Sequence, residues 1–211
     1  MKEQKQITIV GCGPGSPDYL TTEAVKAVEK AAILLGSERL LGLFSDVDCR
    51  KLVCPSHPGA AAELIESLLP DNPVTVLVSG DPGLFSLSRG LVAHFGMKYC
   101  RIIPGISALQ VAFSRLGVDW REARILSSHA VDPQWDTEKL AEYDTIAILG
   151  GRPAGYPRLI EKIAELKGQY SVTLLENLTL PDERVRQIKI NELTTTDAAS
   201  LVIVVLQRIT Q

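Results

Sequence analysis

The sequence predicts an α/β protein of two domains flanking a cleft, the first built on a mostly parallel sheet and the second on a mixed one. Three observations carry this prediction. Apolar, β-branched runs alternate with helical patterns through the first half of the chain, and strand-like runs outnumber helical segments in the second half. Three glycine- and proline-bearing loops also follow short β-branched runs, where an open α/β sheet binds ligands beyond the carboxyl ends of its strands.

Taken in order, the apolar runs of the first half fall at 7–10, 31–35, 51–54, 74–78 and 100–103. Helical patterns follow at 21–30, 37–44, 59–69, 85–95 and 107–116. β and α units alternating at this length predict parallel strands covered by helices. Gly117-Val-Asp-Trp-Arg-Glu122 breaks the helical pattern and reads as a hinge, so the domains are set at 1–116 and 117–211. The second half carries runs at 124–127, 145–149, 171–175, 184–190 and 201–206, with helical segments only at 136–143 and 156–167. This excess of strands predicts a mixed sheet, with Glu183 to Ile190 and Ser200 to Gln207 as antiparallel neighbours. No internal repeat or low-complexity segment interrupts the pattern.

The 211 residues are 45% hydrophobic and 22% charged, enough for one large domain or two small ones. A net charge of −3, no basic block and 5% aromatic residues argue against nucleic acid as the main partner. The polar start Met1-Lys-Glu-Gln-Lys-Gln6 does not read as a signal peptide, and the longest apolar stretch, Leu201 to Leu206, is too short to span a bilayer. A cytoplasmic protein with no membrane partner is expected. Cys12, Cys49, Cys54 and Cys100 contain no Cys-x-x-Cys pair and read as reduced packing residues. Cys49-x4-Cys54-x2-His57 lacks the fourth ligand of a closed zinc site, so no metal is expected.

The three loops are Gly11-Cys-Gly-Pro-Gly15, Ser79-Gly-Asp-Pro-Gly83 and Pro104-Gly-Ile-Ser107. Glycine allows close approach and positive φ while proline fixes the turn, so these loops should offer main-chain N–H and C=O groups to a ligand, as a nucleoside-type cofactor requires. The first loop departs from the dinucleotide fingerprint, with Ser16 where a glycine is needed, and no Gly-Lys-Ser/Thr follows for a Walker loop. Glu38, just after the second apolar run, is either a ribose-binding acid or a solvated helix start beside Ser37. Asp81 is either a plain turn residue or an acidic group at a central strand tip, and Ser107 either caps the helix at 107–116 or faces a ligand. His129 closes the first strand of the second domain, as a proton carrier or as a hydrogen-bonded structural residue. His57 and His94 offer less, and neither a nucleophile elbow nor metal-ligand spacing is present.

Val10-Gly-Cys-Gly-Pro-Gly-Ser-Pro-Asp-Tyr-Leu-Thr-Thr22, Val78-Ser-Gly-Asp-Pro-Gly-Leu-Phe-Ser86 and Ile103-Pro-Gly-Ile-Ser-Ala108 together resemble the tetrapyrrole methylase family, in order and spacing, over essentially the whole chain. Glu176-Asn-Leu-Thr179 followed by Asp182-Glu183 resembles the family's later motif. Ser127-Ser-His129 and the compact length look most like the branch that methylates C5 of cobalt-precorrin-7 in cobalamin synthesis; where that branch often continues His-Gly-Arg, Ala130-Val131 stand here.

The resemblance implies two α/β domains of the tetrapyrrole methylase fold, a homodimer, S-adenosylmethionine as cofactor and a tetrapyrrole as substrate. It implies cofactor contacts from Gly80, Asp81, Gly83, Leu84, Ser107, Ala108 and Leu149, with the last part of the chain closing the pocket, and a substrate-side place for Gly13, Pro14 and Gly15. Asp81 would face the positive charge of the cofactor, and His129 would move any proton. Arg89, Arg115, Arg124 and Arg152 are the candidates for a basic rim that receives the peripheral carboxylates of the macrocycle. A separate precorrin C15-methyltransferase/decarboxylase is the expected functional partner. Three other readings stay open: another methylase of the superfamily, acting for example on ribosomal RNA; a nicotinamide oxidoreductase using Glu38; and a catalytically silent ligand-binding module.

Overall fold

The computed structural model describes residues 7–70, 72–128, 135–150, 161, 163–166, 170–189 and 201–209. The chain divides into two compact units, Met1–Ser107 and Ala108–Gln211, so the division falls before the helix at 108–116 rather than after it.

The first unit alternates strand and helix: β1 (Ile7–Gly11), α1 (Thr22–Val28), β2 (Ile33–Gly36), α2 (Glu38–Gly42), β3 (Arg50–Val53), α3 (Pro58–Leu68), β4 (Val74–Val78), α4 (Ser88–Phe95) and β5 (Cys100–Ile103). Its sheet has the order β3-β2-β4-β1-β5, and every pairing is parallel. Both faces are covered, which is why the central strands read as continuous apolar runs instead of alternating ones. Ile7, Ile9, Ile33, Leu35, Val74 and Val76 pack with Ala61, Ile65 and Leu91 of α3 and α4. Val10, Leu34, Leu77 and Ile103 point the other way, onto Ala24 and Val28 of α1 and Leu40 of α2. Thr21 and Ser37 cap α1 and α2 by accepting from the N–H groups of Ala24 and Leu40. Helix α4 starts at Ser88 rather than 85, because Phe85 stands at φ 46°, outside the helical region.

The second unit holds α5 (Ala108–Leu116), β6 (Arg124–Ser127), α6 (Thr137–Leu140), β7 (Thr145–Leu149), β8 (Tyr170–Glu176), β9 (Arg184–Ile188) and β10 (Val202–Arg208). Its sheet runs β6-β7-β10-β8-β9, with β6 and β7 parallel and the other pairs antiparallel. The sheet is mixed as predicted, but β9 and β10 are not neighbours: β8 lies between them and pairs antiparallel with both. Burial explains the placement. Val202 to Leu206 is apolar throughout and buried, so it belongs at the sheet centre, whereas β9 (Arg-Val-Arg-Gln-Ile) carries charges that need an edge. Of the expected helix at 156–167, residues 161 and 163–165 are described and are helical, and Ile163 and Leu166 join the core. Among the described residues no helix is long and apolar enough to cross a membrane.

Candidate functional site

Strands β4, β1 and β5 are parallel and adjacent, so their carboxyl ends bring the three loops to one edge of the first sheet. The first two loops interlock through main chain. Cys12 N–H donates to Val78 O at 2.9 Å, Gly80 N–H to Gly13 O at 2.9 Å, and Gly13 N–H to Gly80 O at 3.3 Å. Gly13 and Gly80 hold φ values of 71° and 63°, in the left-handed region. The third loop packs against both at a distance only glycine allows: a Cβ on Gly11 would lie 2.6 Å from Gly105 N and 2.7 Å from Gly80 O.

Asp81 ties this assembly together. Its Oδ1 accepts from Gly83 N–H at 2.7 Å, closing its own turn, and its Oδ2 accepts from Gly105 N–H at 3.1 Å, across to the third loop. Asp81 therefore closes its own turn, as the turn reading has it, and also reaches across to the third loop. Gly80, Gly83 and Leu84 belong to that turn, with Leu84 N–H donating to Asp81 O. Gly13, Pro14 and Gly15 are buried, and Ser107 is buried directly ahead of Ala108, the first residue of α5. Arg89 is exposed in the first turn of α4, just after the second loop.

In the second unit Leu149 ends β7, and its carbonyl accepts both the N–H (2.9 Å) and the hydroxyl (3.0 Å) of Ser128. Arg124 lies at the opposite end of that strand pair, where its guanidinium stands 5.8 Å over the Tyr143 ring, so the fold does not bring Arg124 and Leu149 together. Arg115 is already engaged: Nε donates to Glu183 Oε1 at 2.7 Å and Nη2 to Oε2 at 3.3 Å. This hydrogen bond, with one from Thr179 N–H, holds the Glu183 carboxyl below its ordinary pKa against the opposing effect of burial. His129 and Arg152 lie outside the described residues.

Glu38 occupies the first turn of α2 behind the Ser37 cap, which is the helix-start reading. Its neighbour Arg39 is the residue the sequence reading passed over: Nη2 donates to Ser79 Oγ at 3.0 Å, placing a cation on the second loop. The spacing of Arg39 from Ser79 in the sequence gives no hint of that contact. Glu176 was legible only as a motif letter, yet it is a wholly buried carboxylate held by Arg184 (3.1 Å) and Arg186 (2.9 Å). The four cysteines are free, Cys12 and Cys100 buried in the core. Burial pushes the Cys12 thiol up to about 12. Among the described residues no group of three or more His, Cys, Asp or Glu side chains could hold a metal ion.

Glycine loops clasped by one carboxylate at the ends of parallel strands define an α/β protein of the open-sheet class. Comparison with known proteins gives the particular family. The model of the tetrapyrrole (corrin/porphyrin) methylases matches residues 6–194, and the chain belongs to that family of methyltransferases. It is 33% identical over 187 residues to the cobalt-precorrin-7 C(5)-methyltransferase of Salmonella typhimurium, covering 88% of this chain and 91% of the relative. A solved precorrin-6Y methylase of Archaeoglobus fulgidus is similar with a TM-score of 0.78 at 29% identity, covering 98% of this chain and all of that one. A uroporphyrin-III C-methyl transferase from Thermus thermophilus, solved with S-adenosylhomocysteine, shares the fold with a TM-score of 0.77 at 19% identity, covering 96% of this chain and 97% of that one.

Proposed function

We propose that this chain is an S-adenosylmethionine-dependent C-methyltransferase that methylates C5 of cobalt-precorrin-7 in cobalamin biosynthesis. The observation that carries the reading is the Asp81 clasp, which holds two glycine loops in one surface at the strand ends. The relatives' names supply the substrate, and the S-adenosylhomocysteine of a fold neighbour supports the cofactor.

The residues present fit that cofactor. Glycine at 11 and 105 lets the three loops close against one another, since a Cβ at either position would collide with main chain of the neighbouring loops, and the surface so formed is the one proposed to receive the nucleoside. When bound, the cofactor supplies an electrophilic sulfonium methyl group. The work left to the chain is alignment, since an electron-rich meso carbon of the reduced macrocycle is itself the nucleophile. Asp81, with Gly80, Gly83, Leu84, Ser107, Ala108 and Leu149, forms the proposed cofactor contacts; a carboxylate here favours the positive charge of the bound cofactor. The first loop, whose Gly13, Pro14 and Gly15 are themselves buried, is proposed to back the macrocycle side of the site, and Arg89 is the proposed rim cation, being exposed beside the second loop. Arg115 and Arg124 have the structural partners given above, and Arg152 and His129 are retained as rim cation and proton carrier on the sequence reading alone. The enzyme is proposed to act in the cytoplasm as a homodimer, beside a separate C15-methyltransferase/decarboxylase.

The test is incubation of the purified protein with S-adenosylmethionine and cobalt-precorrin-7, followed by mass spectrometry and carbon NMR of the product. One added methyl group at C5 is expected. A methyl at another carbon would overturn the positional assignment, and no transfer would overturn the function.

A further inference from the structure

The turn between β8 and β9 holds a residue in a conformation it does not favour. Thr179 is β-branched and stands at φ 69°, and Asn177, two residues earlier, stands at φ 49°. Asparagine tolerates the left-handed region, but a β-branched residue there is a true outlier whose surroundings must impose it. The surroundings are specific. Glu183 Oε2 accepts from Thr179 N–H at 2.6 Å, and the same carboxylate is gripped by Arg115, from the last turn of α5. Asp182 Oδ2 accepts from Asn177 Nδ2 at 2.6 Å, while the turn closes through Leu180 N–H to Asn177 O (2.9 Å) and Glu183 N–H to Leu180 O (3.0 Å). Leu178, between the two strained residues, is buried.

The turn also has a definite place. Asn177 N–H donates to Leu201 O, and Gly150 N–H to Val202 O, so the turn and the end of β7 are both tied to the start of β10. Asn177 to Thr179 and Leu149 therefore share one edge of the second sheet. Strand β8 and its pairing end at Glu176, so the conformation of the turn is set by its own contacts, the buried Leu178 and the Arg115–Glu183 clamp among them.

We infer that Glu183, gripped by Arg115, is a positioning residue: it holds Thr179 at positive φ so that the Asn177–Thr179 turn keeps the shape the cofactor meets at the Leu149 edge. This inference rests on the proposed assignment of Leu149 to the cofactor site. Residues remote in sequence, α5 and the β8–β9 turn, are thereby coupled, and α5 begins at the residue after the third loop.

The clamp and the strain cancel in a double variant. Glu183→Ala releases the turn, and if the strain is near the low end of its usual range, about one molecule in ten keeps the bound-competent shape, raising the dissociation constant for S-adenosylhomocysteine about tenfold. Thr179→Gly adopts the same φ freely and sets the reference affinity of the cycle. Adding Thr179→Gly to Glu183→Ala brings the dissociation constant to within about threefold of that of Thr179→Gly alone, a rescue that a loss of general stability would not show. The measurement is calorimetric titration of all four proteins with S-adenosylhomocysteine, with thermal melts alongside. Glu183→Gln, which keeps one acceptor oxygen, serves in the same cycle should the alanine variant not fold. Equal affinity of the Glu183 variant and the wild type, or a double variant as weak as the single one, would overturn the clamp while leaving the cofactor assignment intact. A wild-type protein that did not bind the probe would overturn both.

Discussion

Replacing Asp81 by asparagine changes one atom in the loop surface and should separate its two bonds. The carboxylate accepts Gly83 N–H at 2.7 Å and Gly105 N–H at 3.1 Å, and an amide has only one acceptor oxygen to give. The shorter bond, local to the turn, is the one retained. The NH2 group then faces Gly105 N–H, donor against donor, and the second and third loops lose their tie. A hydrogen bond to a charged group contributes about 1.5–3 kcal/mol, and the half-buried setting of Asp81 puts this one near the lower value. Expressed as a fall in the population of correctly shaped loops, that is about tenfold in affinity for S-adenosylhomocysteine. Asp81→Ala, which loses both bonds and the charge, should bind more weakly than Asp81→Asn. Isothermal titration of the three proteins, with melting curves as a control for folding, reads the series directly. Affinities within twofold of wild type for both variants would refute the idea that this carboxylate shapes the cofactor surface.

Gly105→Ala places a Cβ against Gly80 O and 2.7 Å from Gly11 C, all main chain, so it should destabilise by about 1–3 kcal/mol and abolish detectable cofactor binding; a stable, binding-competent variant would show that the loops have room. Removing both Arg184 and Arg186 takes two cationic partners from the buried Glu176 and should cost about 3–5 kcal/mol in denaturant titrations, more than Glu176→Gln does, because the carboxylate keeps its desolvation cost when these cations are gone. Cys12 links stability to alkaline pH. Burial keeps its thiol neutral up to about 12, against an ordinary 9.0, so the unfolded chain ionises first. The stability this contributes is complete below pH 9 and falls by about 1.4 kcal/mol per pH unit above it, until the folded thiol ionises too. Melts between about pH 8 and 10.5 should therefore show a shallower alkaline decline for Cys12→Ala than for wild type, and parallel declines would contradict the assignment.

The fold was legible because its signals are local. Runs such as Val74–Val78 and Thr145–Leu149 coincide with their strands, and the caps at Thr21 and Ser37 stand where short hydroxyl residues precede helices. Strand order in the second sheet was not legible from adjacency alone. Its clue lay in composition, since the charges of β9 exclude it from the centre that β10 occupies. The three loops could be read as backbone surfaces from glycine and proline, yet nothing local told that Asp81 reaches Gly105, 24 residues away in sequence. Arg39 on Ser79 and Arg115 on Glu183 are likewise products of tertiary placement, the partners standing 40 and 68 positions apart in sequence. Long-range side-chain partners of this kind carry no periodic signal, so a charged residue in a helix reads the same whether solvated or engaged.

The central claim is that this chain transfers a methyl group from S-adenosylmethionine to C5 of cobalt-precorrin-7. Its most direct test is a single-turnover reaction with methyl-13C-labelled S-adenosylmethionine, the product read by carbon NMR. One new labelled methyl carbon bonded to the C5 meso position is the predicted result. Label retained entirely in the cofactor, or found on a different ring carbon, would contradict it.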